Sequence, residues 1–300
     1  MKTYNEFRCQ TVGDVQAATE KLDVAEIGKI TYNDTLPITT HKGVYNTTQK
    51  KFCNVVSSSY HLVQHKEYFD SVAEALQRLN IPFNMTITQQ GHKAFADVEF
   101  LNKTIEFKTL NEKFTTGFRA TNSYNKLVGL NIAPRFTRLV CTNGMILSTF
   151  GDNFSVRHNQ VIVTELEKFV EVKIGQIISA DDKLQQWVSV CMQDSTEWQT
   201  VVKIIEKLFT SFKYRQEILK RLDITLVKKK DEKTKKKTKE YIFDDVTRKF
   251  TRWEIYNSIT NYLSNGEHIA PLMYEYGQKR AETVLLTPIN KLVTIEVPNV

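Results

Sequence analysis

The sequence predicts an α+β fold in which an antiparallel, strand-rich first half precedes a helical second half. Three features carry that expectation. Short β-branched and aromatic runs punctuated by Gly and Asn recur from Phe83 to Phe118, the dipeptide Asn143-Gly144 sits between two apolar runs, and beyond about Glu165 the apolar residues switch to a helical period. The chain has 300 residues, of which 41% are hydrophobic, enough to bury a core in one large or two modest domains.

Residues 1–50 mix polar and apolar positions without a sustained period, so an irregular N-terminal arm is expected there. Residues 51–160 are expected to form the strand-rich α+β core. It opens with a strand signal from Phe52 to Val63, broken by Ser57–Ser59. A helix follows, because Phe69, Val72, Ala73, Leu76 and Leu79 recur at helical spacing and Asn80 with Pro82 stops them. Met85–Gln89, Ala94–Phe100 and Ile105–Leu110, separated by Gly91-His92 and Asn102-Lys103, read as an antiparallel meander. Arg138–Thr142, Asn143-Gly144 and Met145–Phe150 give the strongest hairpin signal, since Asn-Gly tolerates the positive φ angles of a type I′ turn.

Residues 161–300 form the expected helical region. Asp194 is placed to cap a helix whose apolar stripe is Trp198, Val201, Val202, Ile205, Leu208 and Phe209. Thr251-x-x-Glu254 is a capping box for a helix burying Trp253, Tyr256, Ile259 and Leu263, and Gly266 lies just past its end. Between these helices the Lys-rich segment 228–239 reads as a loop or the tip of a hairpin.

Several function classes find no support. Cys9, Cys53, Cys141 and Cys191 are too far apart for a CxxC zinc or redox motif, and read as reduced, packed thiols. No run approaches the roughly 20 apolar residues of a membrane span, and Glu6 and Arg8 stand where a signal peptide needs apolar residues. A soluble, cytoplasmic protein without membrane contacts is expected, in the host cytoplasm if the chain is viral. A GxxxxGK[ST] phosphate loop does not occur, which argues against an ATP-driven motor. His61 and His65 have the i, i+4 spacing of zinc ligands but lack a third ligand nearby, so neither a metal nor another cofactor is expected.

The net charge of +7 is concentrated in two places. Residues 228–239 carry eight lysines against Asp231 and Glu232, and residues 101–160 carry eight Lys or Arg against Glu106, Glu112 and Asp152. Such clustering is the electrostatic footprint of a polyanion partner. Lys108, Lys113, Arg119, Lys126, Arg135, Arg138 and Arg157 are the candidate phosphate contacts. Lys228, Lys229, Lys230, Lys235, Lys236 and Lys237 would attract phosphate without reading sequence. Phe114, Phe118, Tyr124 and Phe136 interleave with the cations, as in proteins that hold single strands by stacking bases on rings. Phe118 and Phe136 read as core, whereas Tyr124, between Asn122-Ser123 and Asn125, reads as the stacking ring. The expectation is a non-enzymatic single-stranded-DNA-binding protein. Two rivals remain: a magnesium-dependent nuclease using Asp181, Asp182, Asp244 or Asp245, and a protein-interaction or anti-defence factor that binds no nucleic acid.

The runs Gly117-Phe118-Arg119, Asn122-Ser123-Tyr124, Arg138-Leu139-Val140-Cys141-Thr142-Asn143-Gly144-Met145 and Trp253–Tyr262, with Tyr60–His65 ahead of the first helix, resemble the phage/plasmid-like family of unknown function found on bacterial viruses and mobile elements. The resemblance spans roughly Ser57 to Asn265. The order of a helix, a meander and further helices is also similar to that of single-strand-annealing proteins, which form rings or helical oligomers and pair complementary strands without ATP. It implies ATP-independent strand annealing by a homo-oligomer. Where those proteins carry a long basic helix, this chain has strand-like residues and an Asn-Gly turn.

Overall fold

The computed structural model describes residues 5–32, 36–107, 112–138, 144–146, 155–179, 181–230, 237–265 and 271–294, with backbone alone at 5, 32, 107, 112, 138, 144–146, 155, 181–184, 228–230, 237–240 and 271–275. Strands dominate the first half and helices the second, an α+β arrangement. Two compact units divide the chain: Met1–Val140 with Ile146–Asp181, and Cys141–Met145 with Asp182–Val300.

The first unit contains β1 (Asn5–Cys9), α1 (Val12–Thr19), β2 (Ala25–Tyr32), β3 (Leu36–Asn46), β4 (Lys51–Ser57), α2 (His65–Arg78), β5 (Phe83–Gln90), β6 (Lys93–Phe107), β7 (Glu112–Ser123) and β8 (Leu130–Arg138). After the short strand β9 (Gly144–Ile146), it continues with β10 (Ser155–Val156), α3 (Gln160–Thr164) and α4 (Leu166–Ile178). An antiparallel sheet follows the path β1-β5-β6-β7-β8-β10, and β2, β3 and β4 form a separate three-stranded sheet.

Residues 1–50 are therefore not the irregular arm that their lack of period suggests. Phe7 pairs with Ile87 in register, and Thr11 and Asp14 close a capping box at the start of α1. A five-residue strand is too short to display a period, and its partner lies far along the chain. In β5 every second residue is buried, so one face of the large sheet is apolar. That face packs on the helices: Val15 of α1, Phe69, Val72 and Leu76 of α2, and Val170 and Ile174 of α4 share a core with Ile87, Val98, Phe118 and Ile132. Arg78 of α2 reaches Glu171 of α4 at 2.5 Å. Thus α3 and α4 belong to the strand-rich unit, and the boundary expected at 160 falls near 181.

Asn102-Lys103, expected to separate two strands, instead lies where the β6–β7 register shifts between Glu99 and Thr104, so the strand expected at Ile105 continues β6. Lys103 Nζ donates to the carbonyl of Ile178. Opposite the shift a Cβ on Gly117 would lie 1.9 Å from the carbonyl oxygen of Val98, so the close approach of β6 and β7 admits only glycine. The α2 helix ends as expected, with Asn80 in the left-handed region at φ 53°.

The second unit contains α5 (Asp181–Gln193, from Asp182 on), β11 (Ser195–Glu197), α6 (Trp198–Leu208), α7 (Phe212–Lys220), β12 (Thr225–Lys230), β13 (Lys237–Ile242), β14 (Lys249–Thr251), α8 (Arg252–Asn265), α9 (Pro271–Leu286) and α10 (Ile289–Leu292). The capping box of α8 forms: Thr251 N donates to Glu254 Oε2 at 2.8 Å, and Glu254 N to Thr251 Oγ1 at 3.2 Å. Its expected apolar side, Trp253, Tyr256, Ile259 and Leu263, is buried. Asp194 does not cap α6, because Ser195–Glu197 pair with β14 and place Glu197 at the N-cap. Instead Asp194 Oδ2 accepts from the Ile289 amide at 3.0 Å and faces the buried Arg252 at 3.5 Å. The Lys-rich segment is the antiparallel hairpin β12–β13, and residues 231–236 at its end lie outside the described residues. So do Asn143 and most of the flanks of the expected Asn-Gly hairpin, of which the backbone of Arg138, at the end of β8, and of Gly144–Ile146, as β9, is described.

Candidate anion-binding cleft

Two of the cations singled out in the sequence meet in the first unit. Lys126 and Arg157 line a cleft of about 580 Å³ together with Ser57, Ser59, Tyr60, Val128, Gly129, His158 and Asn159. The turn between β7 and β8 positions Lys126. Ser123 Oγ donates to the Val128 carbonyl at 2.6 Å and accepts from its amide at 3.1 Å, and Asn54 Nδ2 donates to the Asn125 carbonyl at 2.6 Å. The tightened turn holds Lys126 at φ 65°, a backbone conformation that costs a lysine free energy. Arg157 follows directly on β10, whose Val156 pairs with Leu130 of β8, so the register carries Arg157 back beside the same turn. Both cations are exposed, and among the described residues neither has a carboxylate partner.

The wall of the cleft is neutral and polar. Ser57 Oγ lies 3.0 Å from Ser59 Oγ. The Tyr60 hydroxyl and His158 Nδ1 share a hydrogen bond of 2.7 Å, and the two rings stack with centroids 5.2 Å apart. Burial pulls the His158 pKa down to about 4 and pushes that of Tyr60 up, so both are uncharged near neutral pH. His158 Nε2 is buried and has no hydrogen-bond partner among the described residues. Asn159 is occupied locally, its Oδ1 accepting from the Ile162 amide at 2.9 Å. Among the described lining residues the arrangement thus offers two positive charges and the free-standing hydroxyl pair Ser57 and Ser59, with no acid. It suits an anionic oxygen ligand such as a phosphate.

The other predicted contacts are placed differently. Arg119 makes a two-pronged bond to Asp97, both distances 2.6 Å, and Arg135 reaches Glu99 at 3.1 Å and Asp97 at 3.8 Å. These arginine side chains are 17% and 15% exposed, and their charges are spent inside the sheet rather than offered to a phosphate. For Asp97, burial raises the carboxyl pKa, but Arg119 and Arg135 outweigh it and the net shift is downward. Lys113 is exposed and stands 3.8 Å from Glu106, its cross-strand partner. Lys108 lies outside the described residues, and of Arg138 only the backbone, paired with Phe114, is described.

Tyr124, the expected stacking ring, is fully buried. Its hydroxyl lies 2.8 Å from the Asp23 carbonyl and 3.0 Å from Gln64 Oε1, and accepts from the His65 amide at 3.0 Å. Its ring stacks on His65 at a centroid distance of 3.8 Å. Of the polar neighbours that suggested a solvent-facing ring, Asn122 and Ser123 are themselves buried and Asn125 is half-buried; Asn122 donates to the Val63 carbonyl at 3.0 Å. Tyr124 is a structural hub under the three-stranded sheet, beside Ala25, Val44 and Val56. His65 is likewise buried, and burial foremost, with His158 and His92 nearby, lowers its pKa to about 3. It cannot serve with His61 as an exposed zinc pair.

Among the Lys-rich residues, Lys228, Lys229, Lys230 and Lys237 lie in the hairpin of the second unit, whereas Lys235 and Lys236 fall outside the described residues. Its register sets Lys228 opposite Lys239 and Lys230 opposite Lys237. Directly opposed like charges are unfavourable in a bare hairpin.

The sequence reading missed two pairs formed by residues distant in the chain, Tyr60–His158 and Cys53–His92. Cys53 Sγ approaches His92 Nδ1 to 3.3 Å, but burial foremost pushes the thiol pKa up, so it is held protonated and not activated as a nucleophile. Of the acids in the nuclease reading, Asp245 is engaged in its own turn, accepting from Thr247 Oγ1 at 2.7 Å and from two amides, while the side chains of Asp181 and Asp182 lie outside the described residues. Among the described residues no three His, Cys, Asp or Glu side chains are grouped to hold a metal ion, and no helix is long and apolar enough to cross a membrane.

No curated protein and no solved structure matches the chain. A family model does match, over residues 53–285, and that stretch includes every described residue lining the cleft. The chain belongs to the family described as the domain of unknown function DUF932.

Proposed function

We propose that this protein binds single-stranded DNA without ATP and promotes strand annealing, as an oligomer encoded by a phage or mobile element and acting in the host cytoplasm. In this reading Lys126 and Arg157 hold a backbone phosphate in the cleft, and the Ser57 and Ser59 hydroxyls complete its hydrogen bonds. The hairpin lysines supply long-range attraction, and phosphate binding relieves the repulsion between their opposed pairs. One observation carries the reading: two cations from separate elements, neither paired with an acid among the described residues, line the same cleft. Arg119, Arg135 and Tyr124 have no part in it.

The test is binding of single- and double-stranded oligonucleotides across a salt series, with light scattering and an annealing assay on the same sample. Tighter binding to single strands that falls steeply with salt is expected, because each neutralised phosphate releases condensed counterions. Binding that is weak and indifferent to salt would falsify the proposal.

A further inference from the structure

Phosphate reaches a protein in two chemical forms, and the charges around the Lys126–Arg157 cleft distinguish them. A backbone phosphodiester carries one negative charge on two free oxygens. A phosphomonoester, whose second pKa is about 6, carries close to two charges on three oxygens at neutral pH. The cleft brings together one cation from the β7–β8 turn and one from the end of β10, with no acid among its described lining residues. Val128 and Gly129 add no charge, and Tyr60 and His158 are neutral near pH 7. A dianion between the two cations gains roughly twice the Coulomb attraction that a monoanion gains there.

Hydrogen-bonding capacity points the same way. The Ser57 and Ser59 hydroxyls stand 3.0 Å apart on the wall. With the Tyr60 hydroxyl donating to His158 Nδ1, the single proton of the neutral ring sits on Nε2, the buried nitrogen that has no partner among the described residues. The wall and the two cations therefore have donors for more oxygens than the two that a diester leaves free. Shape agrees with this. A concavity of about 580 Å³ has the size of a small-molecule site, whereas a continuous strand is tracked along an extended groove.

We infer that the cleft selects a phosphomonoester dianion over a backbone diester, so that its preferred occupant is the phosphorylated end of a strand or a free nucleoside monophosphate; this rests on the reading that places a phosphate between Lys126 and Arg157. Backbone phosphates enter the same cleft but are held there more weakly.

The experiment measures the affinity of the full chain for one short single-stranded sequence bearing a 5′-phosphate, a 3′-phosphate or hydroxyls at both ends. A nucleoside monophosphate and its unphosphorylated nucleoside serve as competitors. In the wild type a phosphorylated end should raise affinity about tenfold or more over the hydroxyl-ended strand, and K126Q/R157Q should lose that gain. Lowering the pH from about 7.5 to about 5.5 should shrink the gain, because the monoester takes up a proton while lysine and arginine stay charged and His158 and Tyr60 stay neutral. Equal, salt-dependent affinity for all three strands overturns the inference and leaves the backbone reading standing. A gain that persists in K126Q/R157Q, or is the same at both pH values, also overturns it. If the nucleoside monophosphate binds the wild type and not K126Q/R157Q while no strand binds, the monoester is upheld and the strand reading falls. Wild-type protein that binds neither removes both. The pH series uses the unaltered protein, so it decides the matter even if the variant misfolds.

Discussion

The first unit contains two pairs of basic residues that look alike in sequence and differ in what surrounds them. Arg119 and Arg135 lie within strands, and the register of β6, β7 and β8 sets Asp97 opposite Arg119 and Glu99 in line with Gly117 and Arg135. Lys126 and Arg157 lie in a turn and just past a strand end, where among the described residues no neighbouring strand supplies an acid. A strand cation has its partner chosen by register, whereas a cation at a turn stays available to a ligand. Charge density along the sequence does not distinguish the two, and only the second pair belongs in a binding hypothesis.

The largest effect should come from breaking the satisfied pair. Asp97→Asn leaves two mostly buried arginines short of their counter-charge, and denaturant unfolding should show a loss of about 3 kcal/mol. Folding lowers the Asp97 pKa, so acid protonates the unfolded chain first. The stabilisation is present above a carboxylate's ordinary value of about 3.9 and is lost as pH falls further, a dependence that Asp97→Asn should flatten. His65 acts over a higher range. Its folded pKa of about 3 lies below the ordinary value of 6.5, so between these values the unfolded chain binds a proton that the folded chain refuses. Stability should fall as pH drops through that window, and a urea series from pH 7 to pH 4 reads it.

Next in size is the hub. Tyr124→Phe removes the hydroxyl that accepts from the His65 amide and faces the Asp23 carbonyl, and should cost about 1–3 kcal/mol of stability with no change in oligonucleotide affinity. An affinity loss without a stability loss would restore Tyr124 as a contact. The available cations should behave in the opposite way: K126E/R157E should unfold at the wild-type denaturant concentration yet bind single strands about tenfold more weakly. The smallest effect is expected in the hairpin. Replacing Lys228 and Lys230 with Gln relieves their opposition to Lys239 and Lys237, so hairpin stability should rise by about 0.2–1 kcal/mol while association slows at low salt.

Much of the architecture was legible where the signal is local. The stop of α2 at Asn80, the capping box Thr251–Glu254 and the buried side of α8 are each set by residues a few positions apart. What escaped depends on residues distant in sequence. Strand β1 is defined by pairing with β5, and the bulge near Lys103 by the approach of Gly117 to Val98. At the site, counting acids within residues 101–160 leaves out Asp97 and Glu99, the two that neutralise the sheet arginines. Polar neighbours made Tyr124 look exposed, but Asn122 and Ser123 are buried and spend their side chains on backbone carbonyls of Val63 and Val128. Lys126 and Arg157 were visible as cations, but not as a pair, because β10 had no recognisable strand signal of its own.

The central claim is that the cleft cations contact the phosphates and the sheet arginines do not. The most direct measurement is the slope of log affinity against log salt for a single-stranded oligonucleotide, compared between the wild type and K126Q/R157Q. With about 0.7 counterions released per single-strand phosphate contact, removing two contacts should make the slope shallower by about 1.4. Parallel slopes for the two proteins would contradict the account.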